Sequence, residues 1–146
     1  MGASMTAWRW PLYLWALPTT TLGLVCLAVG AAHGRIGTQV VDGVLELHGG
    51  LIDAFLRNGT LLPGGASAMT LGHVVLGRDC EALRRTRAHE RVHVRQCERW
   101  GPLFVPAYLL SSLLLSLTGR DGYLDNPFER EAFQSVPSLP PKNRRR

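Results

Sequence analysis

Cysteine is scarce in this chain, with three in 146 residues. Cys26 falls in an apolar run. Cys80 and Cys97 bracket one predicted helix and would lie about 25 Å apart along it, too far for an intramolecular disulfide. A disulfide scaffold is therefore excluded, and nothing requires an oxidising compartment. Charge is sparse as well, 18% of residues against 46% hydrophobic, and it is gathered between and after two apolar blocks, which argues against a uniform soluble globule. No internal repeat is present, and the single biased segment is the tail PSLPPKNRRR, expected to be disordered. The length has room for one small domain.

The first apolar block, Leu12 to Ala32, has no charged residue in 21 positions. At about 1.5 Å per residue it is long enough for a bilayer core of roughly 30 Å. Trp8, Trp10, Tyr13 and Trp15 cluster at its leading end like an aromatic belt. A signal peptide competes, with Arg9 as the basic region and Gly30-Ala31-Ala32 as small residues for cleavage, but the run exceeds the usual signal core of roughly 7–15 residues. Val25 before Cys26 excludes a lipoprotein site. The expectation is a single-pass anchor. Nine of the 16 basic residues lie between the anchor and Trp100, which places the main domain on the cytoplasmic side. The second block, Gly101 to Gly119, carries Pro102 and Pro106 in its first turns. Its uncharged core of about 16 residues falls below the ~20 of a span, so it reads as a core helix that also touches the bilayer.

Between and after the blocks the pattern is mixed. Thr38 to Gly50 reads as a strand, LIDAFLRNG as one or two helical turns, and Ala68 to Gly77 as a second strand. Asp79 can cap a helix from Cys80 that Gly101-Pro102 ends. Asn126 and Pro127 suit the N-cap and first position of a last short helix. The fold class is α+β.

The helix from Cys80 contains RAHERVHVRQ, an H-E-x-x-H spacing. Residues four apart share a helix face, so His89 and His93 can direct imidazoles at one metal, and Glu90, turned about 100°, can reach its open side. A zinc hydrolase needs two neutral histidines, a third protein ligand, a free position for water and a carboxylate to move the proton. Arg84, Arg87, Arg91, Arg95 and Arg99 form a stripe on the opposite face, which leaves the histidines facing a core. The competing reading makes His89 and His93 ordinary helix residues, with Glu90 paired to Arg87 or Arg91 in solvent. For the third ligand the residues alone leave Asp121, Asp125, Glu129 and Glu131 open, and Glu129 also fits a capping box with Asn126.

In order and spacing, TLGHVVLGRD, AHERVHVRQ and NPFEREAF resemble the small gluzincin-type zinc metallopeptidases, over about residues 68 to 134. The resemblance implies a minimal zincin-like domain with a short sheet, an HExxH helix, an apolar helix and a glutamate-bearing helix. It also implies Zn2+, with His89, His93 and Glu129 as ligands and Glu90 as general base. Arg91 departs from the uncharged residue usual at that position. Phe133 stands where an acidic residue often supports a ligand histidine, so Gln96, Tyr123 and Glu131 are left as candidates for ligand orientation or transition-state support. By the same resemblance, residues 69–76 form a sheet edge for an extended peptide, with Leu71, His73 and Val75 as binding residues.

The expected layout is an anchor over 1–33, a metallopeptidase-like domain over 38–135 and a basic tail over 136–146. The expected function is membrane-anchored hydrolysis of peptide or protein substrates. A non-catalytic alternative has the arginine helix and tail bind anionic lipid or nucleic acid. The stripe lacks interleaved aromatics and any groove-reading motif, so lipid is the better partner and no specific nucleic acid is expected.

Overall fold

The computed structural model describes residues 9–136. Trp8 and the tail beyond Val136, both used above, lie outside the described residues.

The first apolar block is not one helix. It folds as α1 (Trp10–Trp15) and α2 (Leu17–Ala32), divided at Ala16. The cause is Pro18, which lacks an N–H and would clash with the carbonyl four residues back if the helix ran through it. The longer piece, at 16 residues, spans only about 24 Å, short of a bilayer core. Both pieces also pack on the rest of the chain. A Cβ at Gly23 would collide with Val74, Tyr13 stacks on His73 with ring centroids 4.0 Å apart, and Arg9 pairs with Glu98. The expected N-terminal spanning anchor is therefore corrected to a broken helix that closes one side of the fold.

Two further expectations change in the same way, because each predicted strand is a hairpin. In place of one strand over Thr38 to Gly50 there are β1 (Gly37–Val41) and β2 (Val44–His48), joined at Asp42-Gly43 with φ of 50° and 77°. This Asp-Gly pair is the preferred two-residue turn. Ala68 to Gly77 contains β3 (Ala68–Leu71) and β4 (Val74–Gly77), joined at Gly72-His73. Gly72 has φ 65° and lies so close to Thr20 of α2 that a side chain would not fit.

The four strands form one sheet in the order β1-β2-β4-β3, with β2 parallel to β4 and both outer pairs antiparallel. The crossover between the parallel strands carries α3 (Gly50–Asn58). Central β4 is buried on both faces. Val74 and Leu76 meet Leu47, Ile52 and Leu56, while Val75 meets Val44, Leu83 and Val94. Each such side chain contributes about 1.5–3 kcal/mol by leaving water, and the second group clamps the histidine-bearing helix to the sheet.

That helix, α4 (Cys80–Trp100), begins as expected: Asp79 Oδ1 accepts from Ala82 N–H at 2.7 Å. It ends at Gly101, φ 56°, whose missing side chain makes room for the Trp15 indole. A 3-10 turn (Gly101–Leu103) leads into α5 (Phe104–Leu117), and α6 (Pro127–Ser135) follows a turn. Within the helical run Cys80–Leu117, turned at Gly101, one segment is long and apolar enough by length and composition to cross a membrane, and it lies mid-chain rather than at the N-terminus. As a core helix α5 is corrected too. Phe104 is its one buried residue, while Leu109, Leu110, Leu113, Leu114 and Leu117 are each more than half exposed.

Candidate metal centre

The 100° step of α4 puts His89, Glu90, His93, Gln96 and Cys97 on its buried side. His89 and His93 present their Nε2 atoms to each other at 3.2 Å. Glu129, in the first turn of α6, completes the group: Oε2 lies 3.1 Å from His89 Nε2 and Oε1 lies 3.3 Å from His93 Nε2. The three residues are at most 6% exposed, and one ligand atom from each falls within 4.8 Å of the others.

Local capping leaves the Glu129 carboxylate free to turn inward. Asn126 Oδ1 caps α6 by accepting from Phe128 N–H, while Asn126 N–H donates to the Tyr123 carbonyl. A capping-box glutamate would have reached back to that N–H; here the carboxylate points at the histidines instead. The other three candidates are engaged elsewhere. Asp121 accepts from Tyr123 and Leu124 N–H, Asp125 accepts from Asp121 N–H, and Glu131 binds Gln96 and Arg99.

Gln96 is wholly buried and orders the site. Its Nε2 donates to the Phe128 carbonyl at 3.0 Å and to Glu131 Oε2 at 2.9 Å, which turns its Oε1 toward His93 Nδ1 at 2.8 Å. An amide oxygen only accepts, so His93 Nδ1 holds a proton and donates to it, and the proton a metal would displace is the one on Nε2. His89 has no equivalent among the described residues. Its Nδ1 is buried without a hydrogen-bond partner, and its ring lies 4.8 Å from that of Phe133. The phenylalanine noted as a departure thus leaves this histidine positioned by packing.

Glu90 is buried at 5% exposure, away from Arg87 and Arg91. The Thr70 hydroxyl, on β3, donates to its Oε2 at 2.7 Å. The two arginines turn the other way, onto Glu46 of β2: Arg87 binds it through Nε and Nη2, and Arg91 through Nη2. Two of the five arginines in the expected stripe therefore belong to an ion-pair cluster around the buried Glu46.

Electrostatics match this geometry. Burial alone would raise the Glu129 carboxyl, but hydrogen bonds from His89 and His93 outweigh it and hold the group down at about 2. Burial likewise disfavours the His93 imidazolium, yet the adjacent Glu129 carboxylate, with Glu90 and Gln96, carries it up to about 9. Tyr108, on α5, is a residue the sequence reading missed. Its hydroxyl donates to Glu129 Oε1 at 2.7 Å, and burial, then Glu129, holds it protonated well above the usual phenol range. A lone tyrosine in an apolar run offers no signal until α6 folds against it. Tyr123 is raised in the same direction, by burial and then by Glu129 and Glu90.

The expected substrate residues are dispersed. Leu71 is on β3, the outermost strand on that side; His73 sits in the turn, its Nε2 3.0 Å from Glu98 Oε1; and Val75 is in the core on β4. Having been read on one strand, they separate because the hairpin reverses between them.

The donor set fits a metal. Around a tetrahedral ion with bonds of about 2.0–2.1 Å, neighbouring donors stand about 3.3–3.4 Å apart. The two Nε2 atoms, 3.2 Å apart, need only a small adjustment, and Glu129 approaches them through different oxygens, Oε2 at 3.1 Å from His89 and Oε1 at 3.3 Å from His93; with one ligand atom from each residue the set lies within 4.8 Å. Two imidazole nitrogens and a carboxylate oxygen are ligands that suit zinc. No protein-family model, curated protein or solved structure matches the chain.

Proposed function

We propose that this chain is a zinc-dependent metallopeptidase that cleaves peptide or protein substrates beside a membrane. The observation that carries the reading is the buried convergence of His89, His93 and Glu129, with Glu90 next in sequence to one of them. A zinc ion held by those three residues supplies Lewis acidity, polarising a peptide carbonyl and lowering the pKa of water. The rest falls to the chain. Gln96 keeps His93 Nε2 directed inward. Thr70 occupies Glu90 Oε2, which leaves Oε1 to take a proton and pass it to the leaving amine. Among the described residues the outer edge of β3, the strand that carries Thr70, is unpaired in the sheet, and it suits an extended peptide added by main-chain hydrogen bonds.

Apolar surface supports the membrane setting. Leu17, Leu22, Val25 and Val29 of α2 and the leucines of α5 are exposed, and large contiguous apolar surface on a protein marks an interaction site. The reading requires α5 to lie along the bilayer surface, because His89 and Glu129 must share one compartment. Asn126 supports that placement by tying the start of α6 to the middle of α5, through the Tyr108 carbonyl and Ser112 Oγ.

Metal analysis of the purified protein beside a His89→Ala/His93→Ala variant is the deciding measurement, with one zinc per chain expected in the first and none in the second. Equal zinc in both would sink the assignment. Glu90→Gln should keep zinc and fold, since the amide oxygen can still accept from Thr70, while hydrolysis of a mixed peptide library drops by about 10²–10⁴. Unimpaired hydrolysis would remove Glu90 from the mechanism.

A further inference from the structure

Glu129 offers two oxygens to a site with room for one. A carboxylate that binds a tetrahedral ion through both oxygens fills the position a hydrolase leaves open for water. The Tyr108 hydroxyl donates to Oε1 at 2.7 Å, and that oxygen also lies 3.3 Å from His93 Nε2, while Oε2 faces His89 Nε2 at 3.1 Å.

Tyr108 is itself firmly placed. Its ring stacks on Phe128 at 6.1 Å and 26° and meets Phe104 at 6.0 Å. Its carbonyl accepts from Asn126 Nδ2, the same residue whose Oδ1 caps α6 three positions before Glu129. One buried asparagine thus fixes the distance between the tyrosine and the carboxylate it touches.

We infer that Tyr108 is a positioning residue: its hydroxyl engages Glu129 Oε1 as a hydrogen-bond acceptor, so that the glutamate would bind the metal through Oε2 alone and leave the fourth position open. The inference rests on the metal-site reading above. It gives the apolar helix a second use, as the element that sets how a metal ligand in another helix binds.

The test is Tyr108→Phe, which keeps the ring contacts and removes only the hydroxyl. It is compared in the full chain with wild type and with Ser112→Ala, which loses a different hydrogen bond between α5 and Asn126. Cobalt(II) replaces zinc as a spectroscopic probe, because its visible bands weaken as coordination number rises. Weaker cobalt bands are expected for Tyr108→Phe, with zinc affinity lowered about 10–100-fold, and wild-type behaviour is expected for Ser112→Ala. A wild-type spectrum and affinity in Tyr108→Phe would overturn the inference. So would an equal change in Ser112→Ala, which would assign the effect to helix placement. If wild-type protein takes up neither metal, it is the metallopeptidase reading that fails.

Discussion

Replacing Gln96 by leucine puts the proposed site under the most direct strain, because the two side chains are similar in size and the change is almost purely polar. Gln96 is wholly buried and makes three hydrogen bonds, to His93 Nδ1, the Phe128 carbonyl and Glu131 Oε2. Glu131 is partly exposed, so water can replace its lost partner. The Phe128 carbonyl keeps its helical bond from Ala132 N–H within α6, so His93 Nδ1 is the one buried group left without a partner. A buried orphan costs about 1–3 kcal/mol, which the variant should lose from the roughly 5–15 kcal/mol that holds a domain together. Losing the acceptor at Nδ1 also frees the His93 ring to turn and to change tautomer, which should weaken zinc binding about 10–100-fold. Urea unfolding without metal measures the first quantity, and competition with a chromophoric chelator measures the second. Gln96→Glu separates them. Its carboxylate still accepts from His93 but cannot donate to Phe128 and repels Glu131, so affinity should recover further than stability. A leucine variant within about 1 kcal/mol of wild type, with unaltered zinc affinity, would refute the role given to Gln96.

Zinc binding should depend on pH with a definite sign. His93 is raised to about 9, so below that pH the metal must displace its proton, and apparent affinity should rise about tenfold per pH unit toward 9 and then level off; a flat profile between pH 6 and 9 would contradict it. Glu46→Gln leaves Arg87 and Arg91 without a counter-charge. Because Arg87 remains 30% exposed, the cost should sit near the lower end for a broken buried pair, about 3 kcal/mol by urea unfolding, with zinc content unchanged. Cys97 is wholly buried, and that burial is the main reason its thiol is pushed up to about 12. It should resist a thiol reagent at pH 8 in native protein while the partly exposed Cys80 reacts; prompt reaction of both would mean that α4 does not pack as described.

Local rules made the helical framework legible. Asp79 and Asn126 cap the helices they were expected to cap, because a side-chain oxygen next to unpaired N–H groups acts within a few residues. The same holds for the pairing of His89 with His93, which the helix repeat alone imposes. Turn chemistry was present but under-read. Asp42-Gly43 and Gly72-His73 reverse what looked like continuous strands, and Pro18 divides what looked like a continuous anchor. In each case a run that reads as one element masked a backbone requirement of one or two residues.

Other features existed only once distant segments met. The chain order left four carboxylates open as third ligand, and the choice of Glu129 came from the way α6 docks on α4 and α5. Gln96, Glu131 and Tyr108 take their roles from partners 3, 35 and 21 residues away. The arginines of α4 read as a solvent stripe until β2 brought Glu46 beneath two of them. Periodicity records which face of an element is polar, but the hydrogen bonds that decide what each polar group does are made across elements, and only tertiary packing fixes those.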